Sequence, residues 1–271
     1  MKYSIIIPVH NNLEFTKNCL SDLLNLTTNC IEIIVIDNAS TDKTSDFLQS
    51  LSHQIKILYN KINMGCAFAW NQGIKSCSGE WSIILNNDTR IPEFSFPKLI
   101  EFAEKNGVSV VSPGMREGPL NYDFNSYSIE YVDLMRTSIR PGIANGACFA
   151  VHSSVFEKLG LFDESFRVGQ YEDADFFRRC IYDKINLATT GTSFIHHFGS
   201  STQNLVSKKI NFEYGKINQA YYRQKWNIGF LRRHFERYIM QAKLKYWSTL
   251  EYYKYNHSLI EKFNDGKIFY Y

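Results

Sequence analysis

At 271 residues with 44% apolar and 21% charged side chains, the chain can build one large core, or one core with a small appendage, and its composition excludes a disordered or fibrous protein. The net charge of +3 is uninformative as a total but unevenly spread: positions 205–271 hold thirteen Lys or Arg against five Asp or Glu, about +8, leaving about −5 for the rest. Six scattered cysteines without a C-x-x-C pair exclude a disulfide framework and predict free thiols in a reducing cytoplasm.

The N-terminus enters a strand-like run, Ser4-Ile5-Ile6-Ile7-Pro8, without the basic start and apolar stretch of a signal peptide. From there β-branched runs alternate with amphipathic stretches: Ser4 to Val9 then Leu13 to Leu26, Ile31 to Ile36 then Thr41 to Leu51, Ile55 to Tyr59 then Cys66 to Ser76. Strand and helix in alternation predict a parallel sheet covered by helices. Ser40 reads as the N-cap of the second helix, and Trp81 to Leu85 as a fourth buried strand. Positions 116–140 lack clear periodicity and read as a long loop or flap over a substrate. Regular pattern returns at Ala147 to Val151, in helices from Ser153 and Glu172, and in a strand ending at His196. After Thr202 the chain turns helical, basic and aromatic, placing a boundary near Leu205: a catalytic domain over 1–204 and an extension over 205–271. No apolar run is long enough to span a bilayer, so any contact with lipid is expected at the surface.

In an open α/β sheet ligands bind beyond the carboxyl ends of the strands. Three polar clusters fall there: Val9-His10-Asn11-Asn12, Asp37-Asn38-Ala39-Ser40 and Asn86-Asn87-Asp88. With Asn63-Met64-Gly65 through Asn71-Gln72-Gly73, Asn145-Gly146-Ala147, Gly160-Leu161-Phe162-Asp163-Glu164 and Glu172-Asp173-Ala174-Asp175, they form an ordered set. In order and spacing, from Ser4 to about Thr202, this set resembles the family 2 glycosyltransferases of the GT-A fold.

The resemblance implies an inverting transferase that moves a sugar from a nucleotide diphosphate donor, with uracil or thymine as base, to an acceptor hydroxyl. Pro8, Val9, His10 and Asn11 would wall the base, with Asp37 accepting from its ring N–H and Asn38 beside it. Asn63, Gly65 and Asn71 would lie along the donor, where glycine admits close backbone approach. Asp88 matches the last acid of the family's D-x-D motif, which holds Mn²⁺ or Mg²⁺ on the diphosphate. Asn86 stands where that motif has its first acid, with Asn87 between them, so one formal charge is missing. Either His196 or His197 could match the family's late histidine ligand; the Phe198-Gly199-Ser200 run that follows makes His197 the better match, and strand alternation would turn His196 to the other face. Asp173 would be the general base and Glu172 would hold the acceptor. Trp70 occupies a place where many relatives carry Arg.

Two other functions share part of this pattern. A nucleotidyltransferase would show a glycine-rich basic loop after the first strand, which Val9-His10-Asn11-Asn12 is not. A noncatalytic sugar-nucleotide or glycan-binding module would not need both Asp88 and Asp173. The Q-x-x-R-W motif of processive synthases is absent, since Tyr222 and Lys225 occupy its positions before Trp226, which points to single addition. The expected partners are a nucleotide-sugar donor and a glycan or glycolipid acceptor of bacterial surface assembly, with no nucleic acid. The basic aromatic tail suits either a packed helical extension or peripheral contact with an anionic membrane at its inner face.

Overall fold

The β-branched runs become strands β1 (Tyr3–Val9), β2 (Ile31–Asp37), β3 (Lys56–Tyr59) and β4 (Trp81–Leu85), parallel and in the order β3-β2-β1-β4. The computed structural model describes residues 3–26, 31–199, 208–264 and 267–271. Both faces of this half-sheet are apolar because both are covered. Ile5, Ile7 and Val35 pack with Leu20 of α1 (Leu13–Leu24) and Leu99 of α4 (Ser95–Asn106). Ile6, Ile34 and Ile36 pack on the other face with Ala69 of α3 (Cys66–Ser76). A Cβ at Gly73 would sit 2.3 Å from Ile6 Cγ2, so this glycine lets α3 press onto the sheet.

Beyond β4 the sheet continues through antiparallel β8 (Cys148–His152) to β6 (Val110–Glu117) and β9 (Leu187–His197), which lie parallel to each other. Short β5 (Thr89–Arg90) and β7 (Ile139–Pro141) pair with β9. The outcome is a mostly parallel central sheet flanked by helices, in which β1, β2, β4, β6 and β9 all end on the same side. Helices α6 (Ser153–Leu159) and α7 (Glu172–Tyr182) cover the face that α3 covers.

Four expectations are corrected. The segment 116–140 is not a loop: after β6 it forms α5 (Phe124–Met135), capped by Asp123, whose carboxylate accepts the Ser126 N–H at 2.7 Å. Its buried stripe is Phe124, Ser128, Tyr131, Val132 and Met135, while Ile129 and Leu134 face solvent, which blurs the helical period in the sequence. Ser40 does not cap α2 (Thr44–Ser50); the Thr44 N–H donates instead to Asp42 Oδ1 at 2.9 Å. The tail is helical in α8 (Lys208–Lys225) and α9 (Phe230–Tyr255) but ends in two strands. Of these, β10 (Ile260–Asn264) adds parallel to β6, and β11 (Lys267–Tyr270) pairs antiparallel to β10. The fourth concerns α1, which stops at Leu24 rather than Leu26. The proposed boundary near Leu205, and Cys30, lie outside the described residues.

The return of the tail is latched by a buried ion pair. Arg140 of β7 donates from Nε and Nη2 to the two oxygens of Glu251 of α9 at 2.9 and 2.7 Å, and both side chains are excluded from water. The same carboxylate accepts the Leu259 N–H at 2.7 Å, holding the chain as it enters β10. Among the described residues no helix is long and apolar enough to cross a membrane.

Candidate active site

A cavity of about 470 Å³ opens where β1, β4, β6 and β9 end and α7 begins. Its first wall is built by the strand ends. Pro8, Val9 and His10 line it from β1, and His10 Nδ1 lies 2.9 Å from the Asn38 carbonyl. Asn38 is a hub: its amide donates to Asn63 Oδ1 at 2.9 Å and to the Gly65 carbonyl at 3.2 Å, and its oxygen accepts from Asn60 and from the Met64 N–H. Asn38 and Asn63 both face the cavity.

Asn11, Asp37, Gly65 and Asn71 do not line it. Asn11, in the left-handed region at φ 60°, pins the next turn by accepting the Thr41 N–H at 2.6 Å. Asp37 is buried, with Oδ1 accepting the Ser40 N–H at 2.9 Å and Oδ2 accepting the Ser45 hydroxyl. Gly65 has φ +87°, and a Cβ there would meet the Val168 nitrogen at 2.9 Å. Asn71 braces a loop: its amide donates to the Phe162 carbonyl at 2.9 Å and Glu164 Oε1 at 2.7 Å, and its oxygen accepts the Phe162 N–H. Trp70, one helical turn beyond Cys66, does line the cavity, with its indole N–H buried and without a hydrogen-bond partner among the described residues.

Asn86, Asn87 and Asp88 follow β4 and all border the cavity, although the Asn87 amide donates away from it to Thr16 Oγ1 at 2.9 Å. Pairing of Thr89 with His197 across β5 and β9 brings Asp88 Oδ1 to 3.2 Å from His197 Nε2. His196 points the other way, fully buried, with Nδ1 2.8 Å from the Tyr122 hydroxyl. Burial would lower the His197 pKa, but the carboxylates of Asp88 and Glu117 outweigh it and hold the imidazole at about 9. Glu117, at the end of β6, lies 3.8 Å from His197 Nδ1 and receives Lys262 Nζ of β10 at 2.7 Å. These two cations keep its carboxyl well below the usual range, His197 foremost.

Sequence reasoning missed Glu117. The signal available was an acid at the carboxyl end of a strand, just before Gly118, but the segment read as loop.

The opposite wall is the start of α7. Glu172 and Asp173 follow a strained turn in which Val168, Gln170 and Tyr171 have φ of 63°, 76° and 77°. Non-glycine residues in such conformations cost of order 1–3 kcal/mol each and persist only where surroundings enforce them. Asn218, fully buried in α8, does the enforcing. Its amide donates to the carbonyls of Arg167, Gly169 and Gln170 at 2.9, 2.8 and 3.1 Å, and its oxygen accepts the Arg167 N–H at 3.0 Å.

Farther along α7, buried Asp175 is gripped by Lys225 Nζ at 2.9 Å and by the Trp226 indole N–H at 2.8 Å. Lys225 and Tyr221 also hold Asp163, at 2.6 and 2.9 Å.

Asp173 lies against Gly146, where any Cβ would come within 2.0 Å of its Oδ2, and its Oδ1 accepts the Ala174 N–H at 2.7 Å. Glu172 Oε2 is buried without a partner among the described residues. Both carboxyls are pushed above the usual carboxylate range, first by burial and, for Glu172, then by the charge of Asp173. The cavity thus has a carboxylate and imidazole on one wall and a buried acidic pair, both members raised above the usual carboxylate range, on the other.

The model of the family described as Glycosyl transferase family 2 matches residues 4–165. An uncharacterized glycosyltransferase of Rickettsia typhi is 29% identical over 181 residues, which is 60% of this chain and 54% of that protein. The chain therefore spans about half the length of the curated relatives it matches. Two solved structures share the fold at 16% identity. S. aureus TarS 1-349 in complex with UDP superposes with TM-score 0.58, covering 72% of this chain and 60% of that one. GalNAc-T7 with UDP, GalNAc and Mn²⁺ gives 0.59, covering 73% and 44%. With more than half its length matched by that model, this chain belongs to glycosyl transferase family 2 and has the GT-A fold.

Proposed function

We propose that the protein is an inverting hexosyl-type transferase that carries a sugar from a UDP or dTDP donor to an acceptor hydroxyl of a bacterial surface glycan or glycolipid, from a cytoplasmic position peripheral to the membrane. The observation that carries this reading is the opposition of Asp88 with His197 to Glu172 with Asp173 across one cavity. The UDP of TarS and the UDP with Mn²⁺ of GalNAc-T7 support a nucleotide diphosphate and a divalent ion on the same fold.

The donor atoms on the first wall suit such an ion. Asp88 Oδ1 and His197 Nε2 are 3.2 Å apart, so both side chains could hold one divalent ion between the protein and the donor. Among the described residues no cluster of three or more His, Cys, Asp or Glu is set to hold an ion unaided, so the donor diphosphate would complete the shell. Asp88 and His197 would hold Mn²⁺ or Mg²⁺ there, and such an ion would supply charge neutralisation for the leaving diphosphate. His197 must shed its proton to ligate, which couples ion uptake to pH.

On the other wall Asp173 acts as general base. The acceptor oxygen attacks the anomeric carbon from the side opposite the diphosphate and passes its proton to the Asp173 carboxylate. The carbon–oxygen bond to the diphosphate breaks as the glycosidic bond forms, the electron pair leaving with the diphosphate, and the anomeric configuration inverts. A carboxylate suffices because the hydroxyl becomes acidic only as it bonds. Burial raises its basicity, and Glu172 beside it holds the acceptor. Pro8, Val9, His10 and Asn38 form the base subsite, with Asn63 along the donor, while Asp37 holds the turn behind them through Ser40 and Ser45.

The test is a thermal-shift and turnover screen of nucleotide sugars with and without Mn²⁺, since a ligand that binds only the folded state raises apparent stability. One UDP- or dTDP-sugar that stabilises in Mn²⁺ and is consumed with inversion is the expected result. Stabilisation by every donor with turnover of none would leave a binding module and overturn the proposal.

A further inference from the structure

The outer surface of α9 plays no part in the proposed reaction. Of its 26 residues, Ser248 and Glu251 are the buried ones. Leu231, Phe235, Tyr238, Tyr246, Leu250 and Tyr253 are instead between 47% and 84% exposed. At 100° and 1.5 Å per residue these six fall within an arc of about 120° and run about 33 Å along the helix. Single exposed apolar side chains are ordinary, but a continuous stripe of this length marks a surface that is covered in use.

The charges around the stripe identify the cover. On the same helical projection Lys243 and Lys254 border one margin and Lys245 the other. None of the three has a carboxylate partner among the described residues. The helix's own carboxylates are engaged: Glu236 with Arg178 at 2.7 Å and with Arg232, and Glu251 with Arg140 at 2.7 Å. The stripe is therefore apolar and aromatic in the middle and cationic at its edges. A second copy of this chain would set these lysines against their own kind, and a phosphate backbone would leave the apolar centre uncovered. An anionic bilayer satisfies both parts: aromatic and aliphatic side chains enter the headgroup layer while lysines meet lipid phosphates.

We propose that this face of α9 lies flat in the headgroup region of an anionic membrane. The inference rests on the peripheral location proposed above and adds the surface that makes the contact; it does not depend on the sugar transferred.

The test uses the full chain with phosphatidylserine–phosphatidylcholine vesicles and with pure phosphatidylcholine vesicles, at low and high salt. Two variants are compared with the parent: Phe235→Ser with Tyr253→Ser, and Lys243→Gln with Lys245→Gln and Lys254→Gln. All these side chains are solvent-facing, so circular dichroism and UDP binding in Mn²⁺ should match the parent. The parent should sediment with anionic vesicles at low salt and release as salt rises. The lysine variant should lose on the order of a hundredfold in partitioning together with most of its salt dependence. The serine variant should lose about tenfold at either salt. If the parent binds anionic vesicles and both variants bind equally well, the peripheral reading stands and this surface is wrong. Should the parent ignore both vesicle types, both ideas fall. A concentration-dependent dimer abolished by these substitutions, without vesicle binding, would assign the stripe to a second copy and overturn the proposal.

Discussion

The two walls of the cavity are made in different ways. The wall proposed to face the donor, with Pro8 to His10, Asn38, Asn86 to Asp88 and His197, is the end of a parallel sheet, and its side chains sit where strands deliver them. The wall that carries Asp173 hangs on the left-handed backbone of Val168, Gln170 and Tyr171, and α8 holds it from outside through Asn218, Lys225 and Trp226. The first wall is rigid by its own hydrogen-bond ladder. The second is held from two sides, by Asn218 of the tail and by α3, whose Cys66 N–H donates to the Val168 carbonyl at 3.0 Å.

The sharpest break between the walls is Asp173→Asn. It removes the proposed base without touching the donor-facing side chains, so turnover should fall by about 10²–10⁴ while UDP affinity in Mn²⁺ stays at the parent value. Near-normal turnover with a matched acceptor would end the assignment of the base.

Asn218→Ala comes next. Four hydrogen bonds to the strained turn disappear, and a displacement of the reacting groups by about 1 Å can cost on the order of a hundredfold. Turnover should fall ten- to a hundredfold with UDP binding retained. Equal losses in turnover and UDP binding would show that the two walls are one unit.

The same contrast explains what the sequence made legible. Ile5 to Ile7, Ile33 to Ile36 and Ile83 to Leu85 announce buried strands, and α3 runs over Cys66–Ser76, the span its pattern predicts. The polar ends of those strands carry their motifs with them, and β9 turns His197 toward Asp88 and His196 away, as alternation predicts. Three features were hidden for separable reasons. Helix α5 buries Ser128 and Tyr131 while exposing Ile129 and Leu134, so tertiary packing overrides its apolar period. Glu117 meets His197 only because β6 and β9 pair across eighty positions of sequence. Asn218 is one asparagine inside a polar helix, and only the folded turn beside it reveals what it holds. The basic aromatic tail read as helix to its end, but β10 finds an edge of β6 that is available only after the sheet exists.

Asp88→Ala tests the first wall alone. If the carboxylate shares a divalent ion with the diphosphate, UDP affinity in Mn²⁺ should drop about tenfold or more, and the added stabilisation that Mn²⁺ gives should largely vanish. Calorimetry showing equal UDP affinity for the parent with and without chelator would remove the ion from the site.

The smallest expected effect separates the walls by pH. Glu172 and Asp173 are held above their ordinary pKa in the folded chain, by burial first and, for Glu172, by mutual repulsion. In the unfolded chain they ionise near pH 4, as exposed carboxyls do. Between that pH and the folded value the native state binds more protons than the unfolded state, so stability falls as pH rises. The pair's contribution is complete below about pH 4 and is lost as pH climbs through the folded value, about 8 for Glu172. On the other wall Glu117, and beside α7 Asp163, have lowered values, so their stability is present above the unfolded pKa and is lost as pH falls. A denaturation series on the parent sums these opposing slopes. The comparison with Glu172→Gln isolates one: the variant lacks the buried acid, so its stability should decline less than the parent's between pH 5 and 8, and the two curves should converge in acid. Parallel curves across that range would mean that the acidic pair ionises freely, and that burial at the start of α7 does not tune the proposed base.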